Sequence, residues 1–194
     1  MTRRRTILLA GGAALLALAA GGIFFGLDRV VPPRRTDERP PVASTTPATA
    51  HITSTLFYGS EDGQGLVPVR AEVPLAEGVV AQGAQIVTAQ LGAAPSPHVS
   101  VIPKGTTLRA FYVTEGGEAF VDLSSEISSA HPGGSLTELL TVYAIVNAVT
   151  ANLPAVQRVQ LLVEGKEVDT IAGHVDVRRP LSRDTSLVRA EPQR

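Results

Sequence analysis

The sequence predicts a small α+β domain, a mixed or antiparallel sheet with two packed helices, preceded by a single transmembrane helix. Three observations predict it. Residues 7–27 form a run without a charge or a strong polar group. From about His51 the pattern changes to short β-prone runs punctuated by glycine-rich turns. Two longer stretches, Val79 to Leu91 and Ser135 onward to Pro154, carry helical periodicity. The order these imply is ββαββαββ.

The apolar run opens the chain. Thr2-Arg3-Arg4-Arg5-Thr6 is a compact positive cluster, set down as a cytoplasmic N-terminus over residues 1–6. At about 1.5 Å per residue a helix over Ile7–Leu27 measures roughly 31 Å, the depth of a bilayer core of about 30 Å. It is longer than a signal-peptide core of roughly 7–15 residues, so it reads as an uncleaved signal anchor. The competing reading is a cleaved signal peptide with Ala17-Leu18-Ala19 as its small-x-small site. Arg3 to Arg5 favour an N-terminus kept inside, and the folded part is expected on the extracytoplasmic side. Residues 28–50, with the stretch PPRRTDERPPVASTTPATA, lack hydrophobic periodicity and read as a disordered Pro/Thr-rich tether.

The domain is expected over residues 51–173. Thr55 to Tyr58 is a strand stopping at Gly59, and Gly59 to Gly65 is a polar turn. Val67, Val69, Ala71 and Val73 then alternate with Pro68, Arg70 and Glu72, the period of a half-buried strand. Pro68 cannot donate to a ladder, which puts this strand at an edge or at a bulge. Val80, Gly83, Val87 and Leu91 share one side of the first helix, and Gly92 is a suitable stop. A strand over Thr107 to Thr114 and another over Ala119 to Leu123 flank Glu115-Gly116-Gly117-Glu118, a hairpin signal.

Ser135-Leu136-Thr137-Glu138 has the spacing of a capping box, in which Ser135 and Glu138 satisfy free backbone N–H groups. The second helix then carries an apolar face of Leu136, Leu139, Leu140, Tyr143, Val146 and Val149, with Thr137, Thr141, Ala144, Ala148 and Asn152 opposite. Pro154 ends it. Val159 to Val163 is a buried strand, turned by Glu164-Gly165-Lys166-Glu167 toward a last strand at Val168 to Ile171. Residues 174–194 are expected as a C-terminal tail.

Taken in order, LFYG with its glycine turn, LVPVRAEVP, a helix, IPKGTTLRAFYV, GEAFVDLSSEI and GGSLTELLTVYAIVNAVTANLPAVQRVQLLVEG resemble the GerMN domain, the sporulation and spore-germination family. GHVDVRRPLSRD is similar to the tail that follows the domain in relatives, so the resemblance spans roughly residues 54–185. It implies a small α+β domain on the outer side of a bacterial membrane, a role linked to sporulation or germination assemblies, and no active site to carry over. Sporulation members are often lipoproteins, whereas this chain has no cysteine to lipidate.

Composition limits the chemistry. The 194 residues fit one domain with appendages. A net charge of −1 provides no bulk attraction to nucleic acid. Without cysteine there are no disulfides, thiolate metal sites or thiol nucleophiles. Glu138 reads as a cap and Asp122 as an acceptor for the N–H groups of a turn. Asn147 lies on the apolar side of the second helix, where a buried amide must find partners, and is read as pairing with backbone. His174 and Asp176, at i and i+2, lack a third metal ligand nearby. His51, His98 and His131 sit beside turn signals and read as solvated. Arg178, Arg179 and Arg183 around Pro180 read as a solvated basic tail. No catalytic, cofactor-binding or metal-binding residue is assigned, and no cofactor.

The function expected is therefore a non-catalytic interaction or scaffolding module of the bacterial cell envelope, single-pass in the cell membrane. Its expected partners are an envelope protein, peptidoglycan or a second copy, with the membrane engaged through the N-terminal helix and no nucleic acid. The alternatives are a peptidoglycan-acting enzyme using Glu138 or Asp122, and a small-ligand sensor.

Overall fold

Alternating β-prone residues build the first hairpin in the computed structural model, which describes residues 50–189. β1 (His51–Gly59) and β2 (Leu66–Pro74) pair antiparallel, with Leu56 opposite Val69 and Gly59 opposite Leu66. The glycine-rich turn between them closes on a Ser60 N–H to Gly65 carbonyl bond of 2.9 Å. Among the described residues β2 has no strand partner besides β1, so Pro68 sits on an edge strand, the position its missing N–H requires.

Helix α1 (Val79–Gln90) ends where Leu91 and Gly92 stop it. Its buried face differs from the expected one. Gln82, Gly83, Ile86, Val87 and Gln90 point inward, while Val80 is 45% exposed. Two glutamines go inside because each has backbone to bond: Gln82 Nε2 donates to the Pro74 carbonyl (3.2 Å) and its Oε1 accepts from Ala76 N–H (2.9 Å). Gly83 is required by a close approach, since a Cβ there would run into the Phe111 ring.

β3 (Leu108–Val113) and β4 (Glu118–Leu123) form the expected hairpin, with a β-bulge between Leu108 and Ala110. A short helix, α2 (Glu126–Ser129), follows and buries Ile127 completely. The pattern did not reveal it, because one turn offers no periodicity to read.

Helix α3 (Ser135–Asn152) touches β1, α1 and the strands at Arg158–Val163 and Leu181–Ser182. That setting overturns the two-faced reading: Thr141, Ala144 and Ala148 are as buried as Val146 and Val149, whereas Leu136 is 37% exposed. A helix with neighbours on several sides has no solvent stripe along its middle. The capping box is also corrected. The N-cap is Gly134 and no side chain caps the helix, so Ser135 is its first residue and Glu138 lies one position too far along.

β5 (Arg158–Val163) runs parallel to β4, and β6 (Lys166–Glu167) and β7 (Leu181–Ser182) pair with it antiparallel. The five-stranded sheet has the order β3-β4-β5-β6, with β7 beside β5. Glu164 and Gly165, both at positive φ, make the tight turn from β5 to β6. The strand expected at Val168 to Ile171 is instead the short β6 at Lys166–Glu167, and the Ile171 N–H is taken by the Glu138 carboxylate. Leu56, Phe57, Ile86, Val121, Ile145 and Leu161 join in a single core.

The chain beyond Gly173, expected as a tail, is bonded to the domain as far as Arg189. β7 pairs with β5, Val177 is buried, and Leu66 N–H donates to the Leu187 carbonyl (2.8 Å). The expected cytoplasmic N-terminus, anchor and tether up to residue 49 lie outside the described residues, as do residues 190–194. Among the described residues no helix is long and apolar enough to cross a membrane.

Candidate interaction edge

Each carboxylate singled out in the sequence is engaged with backbone. Glu138 is fully buried, and its Oε1 accepts from the N–H groups of Ile171 (2.9 Å) and Ala172 (2.7 Å). Its Oε2 accepts from the His174 N–H (2.8 Å) and meets His174 Nδ1 at 3.1 Å. Burial pushes this carboxyl's pKa up, but the Ala172, His174 and Val175 N–H groups with the His174 ring reverse that and hold it below its ordinary value. Glu138 therefore latches the 171–174 loop to α3. Asp122 behaves as expected: Oδ1 accepts from Gly165 N–H (2.7 Å) in the β5–β6 turn, and Oδ2 pairs with Arg109 Nη1 (3.3 Å).

Asn147 is buried and pairs with one backbone unit. Its Nδ2 donates to the Asp184 carbonyl (2.7 Å), and its Oδ1 accepts from Asp184 N–H (3.0 Å). His174 is committed to Glu138, and Asp176 makes a two-pronged pair with Arg178 that holds its carboxyl well below the ordinary range. These two face different partners, and among the described residues no group of three or more His, Asp or Glu is placed to hold a metal. His131 is half-buried rather than solvated. Its Nδ1 accepts from Gly133 N–H (3.0 Å) and its Nε2 meets Thr141 Oγ1 (3.1 Å). Burial, followed by the charge of His174, lowers its pKa against an opposing pull from Glu138. His51 is exposed and His98 half-buried. Arg179 and Arg183 are exposed, as expected of a basic surface.

With the polar clusters engaged inside the fold, the sheet edges carry the open bonding capacity. The outer edge of β1 is closed from Thr55 to Gly59. Asn152 gives Nδ2 to the Thr55 carbonyl (2.7 Å) and takes Thr55 N–H on Oδ1 (2.8 Å). Gln90 does the same for Phe57, at 2.6 and 2.8 Å. Gly59 exchanges bonds with Val99 at 2.8 and 3.0 Å. Three successive outward positions are thereby satisfied. The edge of β2 is closed at Leu66 by Leu187 and Arg189, then guarded by Pro68, Arg70 and Glu72.

β3 differs. Thr114 N–H donates to the Glu118 carbonyl (2.9 Å), so Thr114, Tyr112 and Ala110 face β4 and the N–H and C=O groups of Phe111 and Val113 face outward. No strand lies on that side, and among the described residues these groups have no hydrogen-bond partner. Tyr112, 58% exposed, is the most exposed large hydrophobic side chain among the described residues, and it lies opposite half-buried Phe120 on the face away from α1. The one charge of the strand, Arg109, is the extra residue of the bulge. It is turned to Asp122 and to Glu164 (3.4 Å). Sequence reading found the strand but not its edge position. The available signal was a β-prone run, LRAFYV, with no Lys, Pro or acidic residue to guard it.

The family model described as "Germane: Sporulation and spore germination" matches residues 55–169, more than half of the chain. No curated protein matches. Among solved structures, the first GerMN domain of the sporulation protein GerM from Bacillus subtilis has 19% identity and a TM-score of 0.51, covering 69% of this chain and 96% of that one. The tandem GerMN domains of the same protein have 19% identity and a TM-score of 0.51, covering 70% of this chain and 46% of that one. These similarities establish a shared fold.

Proposed function

Because the chain belongs to the Germane family, the sporulation and spore germination family, we propose that it is a non-catalytic interaction and scaffolding module of the bacterial cell envelope, used in a sporulation- or germination-linked assembly. The apolar run at Ile7–Leu27 anchors it in the cell membrane as a single pass, and the Pro/Thr-rich tether presents the domain on the extracytoplasmic side. Envelope proteins and peptidoglycan are its partners.

The observation that carries this reading is the open edge of β3 in a fold that closes β1 from Thr55 to Gly59 and guards β2. Backbone pairing at a free edge provides affinity, and an exposed side chain beside it provides selectivity. Against catalysis, the acceptor oxygens of Glu138 and Asp122 are held by backbone donors and by His174 and Arg109.

A photo-crosslinking amino acid at Tyr112 of the full chain, in its native membrane, tests this. Discrete adducts are expected from Tyr112 and none from Thr88, an exposed residue on α1. Equal yields at both positions, or none at Tyr112, would refute the edge as the site of interaction. A C-terminal reporter active only in the cytosol would refute the envelope placement.

A further inference from the structure

We propose that the β3 edge pairs with the β3 edge of a second copy of this chain, antiparallel about a two-fold axis through Tyr112. This rests on the reading of β3 as the interaction edge and names its occupant. The bulge at Arg109 ends the regular edge on one side, and the Glu115–Gly117 loop ends it on the other. The regular stretch is Ala110 to Thr114, and its centre is Tyr112.

Symmetric pairing over the whole stretch therefore sets Tyr112 against Tyr112 of the second copy, with Phe111 opposite Val113 twice. The outward N–H and C=O groups of Phe111 and Val113 then meet in two hydrogen-bonded pairs, about four backbone bonds in all. Tyr112 falls at the central non-hydrogen-bonded site, where cross-strand side chains approach most closely and aromatic pairs are favoured. The two rings, 58% exposed in the single chain, cover each other.

Charge is compatible with the same register. It places exposed Glu115 of each copy near Arg109 of the other, which is already turned to Asp122 and Glu164 of its own chain. Centring one position earlier, on Phe111, would set Arg109 against Val113 and draw the bulge into the ladder. No like charges meet in the Tyr112-centred register. β2 offers no equivalent, because Pro68 lacks a donor and Arg70 and Glu72 stand on its edge.

The chain has no cysteine, so one introduced thiol reports on the geometry without background. Residues facing each other at a non-hydrogen-bonded site have Cα atoms about 4.5 Å apart, inside the roughly 4.4–6.8 Å that a disulfide spans. Full-length Tyr112→Cys in its membrane, oxidised mildly, is expected to run as a disulfide-linked dimer on non-reducing gels. Thr88→Cys is expected to stay monomeric. Val113→Pro added to Tyr112→Cys removes an outward donor without breaking the domain's own ladder, and should abolish the dimer. Glu115→Arg added to Tyr112→Cys should cut the yield several-fold, and a neutral Glu115→Gln less. A monomeric Tyr112→Cys chain, or a dimer indifferent to Val113→Pro, overturns self-pairing. If photo-adducts to another protein still form at Tyr112, the edge reading survives with a different occupant. If no adduct of either kind forms, both fall.

Discussion

At the outer edge of β1, Thr55 gives its N–H and C=O to Asn152, and Phe57 gives its own to Gln90. At the outer edge of β3, the same groups of Phe111 and Val113 have no partner among the described residues. Both strands present identical backbone chemistry. What differs is surroundings. β1 lies against α1 and α3, with Phe57 2% exposed, so an unpaired amide there has no water to bond. β3 lies at the rim of its sheet: Phe111 is buried against α1 on one face, but Tyr112 beside it is 58% exposed and no strand among the described residues lies beyond. The fold thus uses side-chain amides on the β1 backbone between its helices and leaves the β3 edge without such partners. That edge also lacks the charges and proline that guard β2. An unguarded edge beside a β1 closed from Thr55 to Gly59 and a guarded β2 is the reason to read it as a contact surface.

The largest effect expected from breaking this contrast is at Gln90. Gln90→Met keeps the volume but strands a buried N–H and C=O on Phe57, and is expected to cost about 3 kcal/mol in chemical denaturation. Asn152→Leu does the same at part-buried Thr55 and should cost about 2 kcal/mol. Glu138→Gln removes the charge that collects the Ile171, Ala172 and His174 donors, and about 2 kcal/mol is expected at neutral pH.

Glu138 also makes stability depend on pH. Its folded pKa lies below the ordinary 4.5, so its contribution is complete above 4.5 and is lost as pH falls through the folded value. His131 acts in the same direction: its folded pKa lies below 6.5, so acidification from 6.5 downward charges the unfolded chain first. Denaturation midpoints should fall on acidification from about neutral, with the component below 4.5 missing in Glu138→Gln. Gly83→Ala, favourable by helix propensity, should instead destabilise by about 2 kcal/mol because the Phe111 ring occupies the space. The smallest effect on stability is expected from Tyr112→Ser, within about 0.5 kcal/mol, with association lost. That separation between stability and binding sharpens the contrast between the two edges.

Much of the fold was legible because local chemistry set it. Glycine turns delimit the hairpins, Pro68 marks an edge, Asp122 receives a turn and Asn147 receives backbone, each as its residue type predicts. What escaped was decided at long range. Gln82 and Gln90 are polar by residue type, yet they face strand backbone, Phe57 lying 33 positions from Gln90 in the chain. Asn152 was put on a solvent stripe and instead bonds Thr55, 97 positions away. The S-x-x-E spacing at Ser135 fits a capping box, but with Gly134 as N-cap the helix begins one residue early for it, and Glu138 turns inward. Periodicity measures hydrophobicity along an element and does not register an amide satisfied by a distant strand.

Amide hydrogen exchange, followed residue by residue at low protein concentration, tests the central claim most directly. The Thr55 and Phe57 N–H groups should exchange slowly, at the rate of the buried ladder, while Phe111 and Val113 exchange rapidly although they lie inside a strand. Protection at Phe111 and Val113 in the dilute single chain, or fast exchange at Thr55 and Phe57, would contradict it.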